Sequence, residues 1–472
     1  MRPSTLIGRL TGGAREFSSR FLLLPVLHTA RLGRKSTRDS ERSFLEGLRV
    51  RRQQTAWSEE QRREWIIGQL RDTVRYAASE TSYYADLFRR IGFDPRRDFS
   101  FDEFAALPVL ERSSLRDEAR RMLAASVPDA VVRRDSSGGS TGAPVHYVTG
   151  PMERGWSTSA SETFMRRVGL PEGTRIALLW AHHLDPLDRS AFADRARDWI
   201  QNVRWYDCLR LDPERLLTYH RDMERFQPDG IIAYAGALAA LAETLHARGI
   251  RPSYARRALV TGAEKLWPHQ RRVVEQIFTA PLSERYGSRD VGSIGFQLRP
   301  RESLAFTVDW ANLLVEPETD SPDSPILVTK LHADAQPMIR YRIGDVAKFP
   351  AGARPGHPCF TLEEIIGRQA DRIWTPNGRW VHGLGVPHLM KDYPLEAYQL
   401  VQQADYSVEL RIVPRPEFSD VHRSSIVGIL RANLGEALAI RVEVVDEIDR
   451  PAGKWRPVVS HVQREPVSRG AA

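Results

Sequence analysis

The chain has 472 residues, of which 42% are hydrophobic and 27% are charged; this excludes a wholly disordered protein and suits roughly two to four domains. The formal net charge is +8, and residues 1–53 alone carry twelve Arg and Lys against four Asp and Glu. The remaining chain is neutral overall, which gives no reason to expect nucleic-acid binding. Two cysteines exclude a disulfide framework, and no apolar run is long enough to span a bilayer, so we expect a cytoplasmic protein.

Residues 1–53 form a basic N-terminal extension with two open interpretations. It is either a solvated, loosely docked tail or a contact for a membrane surface or a partner protein. The second interpretation rests on apolar residues that would share one face of a basic helix, namely Leu6, Leu10, Phe17, Phe21 and Leu24.

The periodicity along the chain predicts an α/β fold. Residues 54–95 have helical spacing, and a turn with a short helix follows up to Pro108. From Val131 to about Ile366, short β-like runs alternate with helical runs, and the pattern becomes β-rich after Leu304. We expect a large N-terminal domain over residues 54–370, with α/β and β-rich subdomains, and a small α+β domain over residues 371–472.

A glycine- and hydroxyl-rich loop, SSGGSTGAP at residues 136–144, is the most informative stretch. Successive backbone N–H groups in such a turn form an anion-binding concavity that suits a polyphosphate. The loop is not a P-loop, because no lysine follows its last glycine. An amidase-type Ser–Ser–Lys site is disfavoured, because no lysine lies between Lys35 and Lys265. A flexible surface loop remains the alternative.

Three further motifs follow or end predicted strands, where open α/β sheets bind ligands. They are TGAE at 261–264, RYGSRDVG at 285–292 and YRIGD at 341–345. Tyr286 could stack on a base, Asp290 could offer an oxygen to Mg²⁺, and Asp345 could accept both ribose hydroxyls. Ordinary turns with satisfied carboxylates remain the alternative for each.

Two motifs lie at or beyond the junction of the predicted domains. IGRQAD at 366–371 suits a hinge with a phosphate-binding guanidinium, and PAGK at 451–454 places one of only six lysines in a tight turn. Taken alone, that lysine reads as a solvated surface charge.

In order and spacing, these six motifs resemble the adenylate-forming superfamily of acyl-CoA synthetases, and within it the phenylacetate–CoA ligase and CapK-like branch. The resemblance covers roughly residues 60–465 and implies a small, mobile C-terminal domain that delivers a lysine. It assigns the β/γ-phosphates of ATP to Ser137, Gly138, Gly139, Ser140, Thr141 and Gly142. It assigns the nucleotide slot to Gly262, Ala263, Glu264, Tyr286, Gly287 and Ser288.

The resemblance also implies the remaining roles. Asp290 would bind Mg²⁺ and Asp345 the ribose, while Arg368 would contact ribose or phosphate. Asp371 would mark the hinge, and Lys454 would drive adenylation. Apart from the resemblance, Trp180, His182 and His183 follow a buried strand and could line an acyl pocket with Tyr234 and Gly236 opposite, although ordinary loop histidines are the commoner explanation of His182 and His183.

The chain departs from the branch's pattern in two places. Ala143 stands where many members carry lysine. The motif usually written YGxTE has Arg289 in place of threonine and Asp290 in place of glutamate. The carboxylate is kept but set further back, beside a new cation.

The resemblance therefore implies ATP-dependent activation of a carboxylic acid, an aryl acid being one option, with release of pyrophosphate and acyl transfer to coenzyme A. Transfer to another acceptor, such as an amine, an amino sugar or a carrier-protein thiol, is the alternative. A non-catalytic nucleotide-binding homologue is the lesser one. A homodimer is left open.

Overall fold

The computed structural model describes residues 38–53, 56–137, 145–180, 202–208, 211, 213–368, 372–374, 380–382, 386, 390, 393–434, 438–448 and 458–462. The chain divides into a larger unit, which ends at Ile365, and a smaller unit, which begins at Ile366 and also takes in residues 344–346. Within the described ranges, no helix combines the length and the apolar character needed to cross a membrane.

The larger unit opens with helices. They are α1 (Arg38–Gln53), α2 (Glu59–Glu80), α3 (Ser82–Ile91), α4 (Phe101–Ala105) and α5 (Arg112–Asp117). The helical segment predicted over residues 54–95 is divided at Thr81, which ends α2 and also begins α3 by accepting a hydrogen bond from the Tyr84 amide. A capping box between Ser58 and Gln61 starts α2.

A hairpin and a long helix come next. They are β1 (Arg133–Ser137), β2 (Val145–Thr149) and α6 (Pro151–Arg167). The hairpin is antiparallel, and Asp135 pairs with Tyr147 in its register. The strands therefore flank the glycine-rich loop that the sequence analysis singles out.

The rest of the larger unit alternates strands with helices and then becomes β-rich. In chain order the elements are β3 (Ile176–Trp180), β4 (Val203–Asp207), α7 (Pro213–Phe226), β5 (Gly230–Tyr234), α8 (Ala235–Ala247), β6 (Ala258–Gly262), α9 (Pro268–Ile277), β7 (Leu282–Ser288), β8 (Gly292–Phe296), β9 (Phe306–Val308), β10 (Leu313–Pro317), β11 (Asp323–Lys330), β12 (Tyr341–Lys348), β13 (Thr361–Leu362) and β14 (Glu364–Arg368).

An eight-stranded sheet in the order β13-β9-β8-β7-β6-β5-β3-β4 is the centre of this unit. Strands β4, β3, β5, β6 and β7 are parallel, and β8, β9 and β13 extend the sheet antiparallel. Side chains of α6 pack on one face, and those of α7, α8 and α9 pack on the other. The central strands β3, β5 and β6 are apolar and largely buried, as expected where both faces of a sheet are covered, and the predicted α/β fold is confirmed.

A second sheet of the order β10-β11-β12-β14 accounts for the β-rich pattern predicted after Leu304. The turn expected over Glu316–Pro325 joins β10 to β11, which pair antiparallel from Leu313 opposite Lys330 to Pro317 opposite Ile326. This sheet carries the YRIGD motif in β12.

The smaller unit has its own core. Its elements are β15 (Arg372–Trp374), β16 (Trp380–His382), β17 (Leu395–Gln402), β18 (Val408–Pro414), α10 (Asp420–Leu434), β19 (Ile440–Val444) and β20 (Val458–Ser460). Its main sheet has the order β19-β18-β17-β20. Leu410 and Ile412 pack with Ile426 and Leu430 of the helix, all fully buried. The α+β character expected of this part of the chain is therefore confirmed.

Helix α1 differs from the solvated tail considered for residues 1–53. It lies along α6 at a close approach that depends on two glycines. A Cβ on Gly47 would lie 2.2 Å from the Ser159 hydroxyl, and one on Gly155 would lie 2.5 Å from the Ser40 carbonyl oxygen. Phe44 of α1 is buried at this contact, so residues 38–53 belong to the larger unit.

A buried ion pair fixes the end of α1. Arg51 donates from Nε to Asp309 Oδ1 at 3.0 Å and from NH2 to Oδ2 at 2.7 Å, and its NH1 donates to Ser159 Oγ at 2.7 Å. The two charged side chains are 3% and 6% exposed. Such a pair costs desolvation when it forms, but the loss of one partner leaves an uncompensated buried charge.

We predict that Arg51→Met lowers the free energy of unfolding by about 3–5 kcal/mol, because Asp309 then stays buried without its cation. Urea unfolding of the full chain measures the change, and the exposed Arg49→Met in the same helix is the matched control. The double variant Arg51→Met with Asp309→Leu should recover much of the loss. An equal effect of the two single variants would contradict this role of Arg51.

Candidate active site

The register of three parallel strands places separate motifs at one edge of the sheet. Tyr234 at the end of β5 pairs with Gly262 at the end of β6, and Gly262 pairs with Arg285 of β7. Trp180 ends β3, and its ring centroid lies 4.1 Å from that of Tyr234. Residues from the TGAE motif, the RYGSRDVG motif and the expected acyl pocket therefore meet where α/β sheets bind ligands.

The turn after β6 has the compact backbone expected of a nucleotide slot. Ala263 adopts a left-handed conformation with φ of 64°, and a Cβ on Gly262 would lie 3.2 Å from the Arg285 carbonyl oxygen. Glu264 Oε2 accepts a hydrogen bond from the Gly236 amide at 3.0 Å. Since Gly236 lies in the first turn of α8, this carboxylate stabilises the positive end of that helix.

The walls of the expected acyl pocket are aromatic in part. Tyr234 is buried, and Trp180 is half-buried against it. Nearby Cys208 has its pKa raised to about 12 by burial, with further contributions from Asp207 and Glu264, so its thiol stays protonated at neutral pH. His182 and His183 lie outside the described residues.

Tyr286 and Gly287 also have defined surroundings. Tyr286 is half-buried and meets Phe306 edge-to-face with ring centroids 6.2 Å apart. A Cβ on Gly287 would lie 2.3 Å from the Gly292 carbonyl oxygen, so the tight turn between β7 and β8 requires glycine there. The ring of Tyr286 is thus held from one side by the core.

Asp290 does not have the surroundings of an open magnesium ligand. The residue is 3% exposed. Ser288 Oγ donates to Oδ1 at 2.5 Å, and the Tyr341 hydroxyl donates to Oδ2 at 2.7 Å. No cluster of three or more metal-ligating side chains occurs among the residues with assigned positions. The carboxylate therefore anchors the β7–β8 turn to the start of β12, and its role as a Mg²⁺ ligand stays a prediction.

The RYGSRDVG turn lies against the hairpin that flanks the glycine-rich loop. Arg289 NH1 is 3.9 Å from Asp135 Oδ1, and Arg133 NH2 is 3.2 Å from Asp135 Oδ2. Burial raises the pKa of Tyr147, and the charges of Asp135 and Asp290 raise it further. Tyr147 therefore lies close to both carboxylates, and the two motifs share one region of the larger unit.

The remaining predicted site residues fall into two groups. Three lie in described strands: the backbone of Ser137 ends β1, that of Arg368 ends β14, and half-buried Asp345 lies in β12. The others lie outside the described residues, namely Gly138, Gly139, Ser140, Thr141, Gly142, Asp371 and Lys454. Their roles stay predictions.

Sequence reasoning missed four residues that shape this region. Arg285 and Tyr341 lie inside motifs that were recognised, but they received no role. Asp135 precedes the glycine-rich loop, and Tyr147 follows it. The unusual arginine at position 289 was a usable signal for Asp135, since a cation at a strand end commonly has a carboxylate nearby.

We predict that Tyr341→Phe lowers the free energy of unfolding by about 1–3 kcal/mol, because a buried carboxylate loses one of its two side-chain donors. Urea unfolding is the measurement. Tyr393→Phe is the control, since that hydroxyl contacts Ser425 in an exposed position. A stability equal to that of the native protein would contradict the anchoring role of Asp290.

Comparisons with known proteins agree with this geometry. The chain is 23% identical over 445 residues to phenylacetate-coenzyme A ligase of Pseudomonas putida, covering 88% of this chain and 96% of that protein. It is 18% identical over 399 residues to protein CapK of Staphylococcus aureus, covering 82% and 87%. The CapK C-terminal domain model matches residues 373–461.

The crystal structure of 2-hydroxyisobutyryl-CoA ligase in the postadenylation state, in complex with R3-HIB-AMP, has the same fold. The TM-score is 0.63 at 17% identity, over 85% of this chain and 90% of that chain. Sequence similarity over nearly the whole length, the C-terminal match and the shared fold all point the same way. The chain is therefore similar to phenylacetate-coenzyme A ligase and CapK over most of its length, and it shares the fold of a CoA ligase.

Proposed function

We propose that this protein activates a carboxylic acid with ATP to an acyl-adenylate and then transfers the acyl group to coenzyme A. One observation carries the proposal: the RYGSRDVG turn, at the carboxyl edge of the parallel strands, lies against the hairpin that flanks the glycine-rich loop. A base-binding slot and a phosphate-binding loop must share a cleft if ATP is to occupy both. One relative is a phenylacetate-coenzyme A ligase, and the CoA ligase of the same fold was crystallised in complex with R3-HIB-AMP, which supports this reaction class.

The proposed chemistry has two displacements. A substrate carboxylate oxygen attacks the α-phosphorus of ATP, the Pα–O–Pβ bond breaks, and pyrophosphate leaves. The thiolate of coenzyme A then attacks the acyl carbon, and AMP leaves with the electrons of the mixed-anhydride bond. Because acid and ATP are both anionic, the protein must supply alignment and positive charge in the first step.

The residues divide this work in the proposal as follows. The turn after β6 and the Tyr286 ring would hold the adenine, and Asp345 would accept the ribose hydroxyls. The loop at 137–142 would hold the phosphates through backbone N–H groups and hydroxyls. Arg368 would contact the ribose or phosphate, and Asp371 would mark the hinge about which the smaller unit turns.

Magnesium belongs to the substrate in this proposal. Mg²⁺ is bound largely by phosphate oxygens and water in nucleotide sites, so it would arrive as a complex with ATP. The two hydrogen bonds that Asp290 already accepts leave it as an anchor of the turn. No step here is assigned to a resident metal.

The chain has only six lysines that could neutralise charge in the adenylation step. Three of them lie among the described residues, and each contacts a glutamate. Lys265 lies 2.9 Å from Glu364, Lys330 lies 2.6 Å from Glu153, and Lys348 lies 3.0 Å from Glu363. Each of these charges is balanced by its own glutamate. The other three lysines, Lys35, Lys391 and Lys454, lie outside the described residues, and the resemblance assigns charge neutralisation in the adenylation step to Lys454.

A second candidate function keeps adenylation and changes the acceptor to an amine, an amino sugar or a carrier-protein thiol. This candidate is supported by the match of residues 373–461 to the CapK C-terminal domain, because the name of that domain does not specify coenzyme A as the acceptor. The two candidates share the first displacement and differ only in the nucleophile of the second.

Acid-dependent exchange of labelled pyrophosphate into ATP tests the common first step across a panel of carboxylic acids. Addition of coenzyme A with mass detection of a thioester then separates the two acceptors. Exchange with thioester formation supports coenzyme A, and exchange without it supports another acceptor. ATP binding with no exchange for any acid would leave a non-catalytic nucleotide-binding protein.

We predict that Lys454→Ala lowers the rate of pyrophosphate exchange by about 10²–10³-fold, because one charge-stabilising donor is lost from the transition state. ATP binding, measured by calorimetry, should persist. Lys348→Ala is the matched control, since that lysine is exposed and paired with Glu363. Unchanged exchange in Lys454→Ala would refute the assignment.

A further inference from the structure

Arg285 is a cation at the centre of the site edge, and no role has been given to it. It belongs to β7, immediately before Tyr286, and pairs with Gly262 of β6 in the register of the sheet. A Cβ on Gly262 would lie 3.8 Å from Arg285 Nε and 3.9 Å from Arg285 Cβ. The arginine side chain thus passes beside the one residue of β6 that has no side chain to obstruct it.

Within the described residues, Arg285 makes no side-chain hydrogen bond and no ion pair. Other arginines close to it in sequence differ. Arg271 NH2 lies 3.4 Å from Glu284 Oε2, and Arg289 faces Asp135. Burial lowers the pKa of Arg285, and among the described residues no carboxylate offsets this lowering. Because arginine remains charged at neutral pH, a half-buried guanidinium without a counter-charge favours an anion beside it.

The sheet face on which Arg285 lies indicates which bound group would supply the anion. Successive side chains of a strand point to opposite faces, so Arg285 lies on the face opposite to Tyr286, the proposed adenine partner. Cross-strand neighbours share a face: Gly262 is the neighbour of Arg285, and Tyr234 is the neighbour of Gly262 on the next strand. Tyr234 and the Trp180 ring that it contacts are residues of the expected acyl pocket.

We infer that Arg285 binds a second anionic group on the acid, so that the substrate class is carboxylic acids bearing a further carboxylate or comparable anion. The inference rests on the proposed function and deepens it. One carboxylate reacts at the α-phosphorus, while the other pairs with the guanidinium among the aromatic rings of the pocket. Arg285 then determines specificity and does not take part in the bond changes.

Matched substrate pairs test this in the full-length protein. Each pair is a diacid and its monomethyl ester, which keeps one reactive carboxylate: malonate, succinate, glutarate, adipate and terephthalate. In pyrophosphate exchange, we expect at least one diacid to exceed its ester in kcat/KM by about 10- to 100-fold, the usual range for a charge-assisted hydrogen bond. Arg285→Gln should bring that ratio to about one, and Arg285→Lys should keep part of it.

Arg299→Gln is the control, because this exposed arginine pairs only with nearby Glu302 among the described residues. It should keep the native ratio. Esters that equal or exceed every diacid in the native protein would overturn the inference, as would a ratio unchanged by Arg285→Gln in a variant of native thermal stability.

Failure of the proposed function has a different signature, namely no exchange with any acid or ester. Titration calorimetry of the same diacids then tests Arg285 without turnover. Binding to the native protein that is lost in Arg285→Gln and kept in Arg299→Gln would support the anion site. Absence of diacid binding to the native protein would overturn it.

Discussion

The parallel register of β5, β6 and β7 is the constraint on which the candidate site depends. It sets Tyr234, Gly262 and Arg285 side by side at the ends of their strands. The side-chain period of a strand is two, so a slip of one residue in β6 would move Gly262 to the other face and put Ala263 or Thr261 against the arginine. Helices pack on both faces, which makes such a slip costly because every buried apolar side chain would change sides.

The glycines near this edge have separate physical reasons. Gly262 leaves room for the backbone and side chain of its neighbour, and Gly287 allows β7 to turn closely into β8. Both lie in motifs to which the proposed function assigns a ligand close to the backbone. The same two glycines therefore allow neighbouring backbones to approach closely and would leave space for a ligand.

The α/β alternation of the fold and the edge position of two site motifs could be predicted from the sequence. The alternation of strands and helices is local, so its presence between Val131 and Ile366 followed from periodicity and the punctuation of glycine and proline, although β4 and α7 were not predicted. The edge position of TGAE and RYGSRDVG then followed from the general behaviour of parallel sheets. The docking of α1 did not follow, since it depends on Gly47 and Gly155 meeting across two helices that are distant in sequence.

The environment of Asp290 shows why the contacts of the site residues could not be predicted from the sequence: they join segments that are distant along the chain. Its type suggested a metal ligand, but its role depends on the Tyr341 hydroxyl, which belongs to another sheet. The same pairing gives a physical account of the departure from the YGxTE pattern. A shorter carboxylate in place of glutamate lies back against Tyr341 and Ser288, while the arginine in place of threonine turns to Asp135 of the β1 strand.

Asp290 and Arg289 both depart from the YGxTE pattern, and each of them makes a contact that holds the turn. Asp290 ties the turn to β12, and Arg289 faces the hairpin that flanks the glycine-rich loop. The turn is held from two directions by side chains within the larger unit. A turn fixed in this way needs no metal to keep its shape, so under the proposed function the charge of the nucleotide would be balanced by ions that arrive with it and by Lys454.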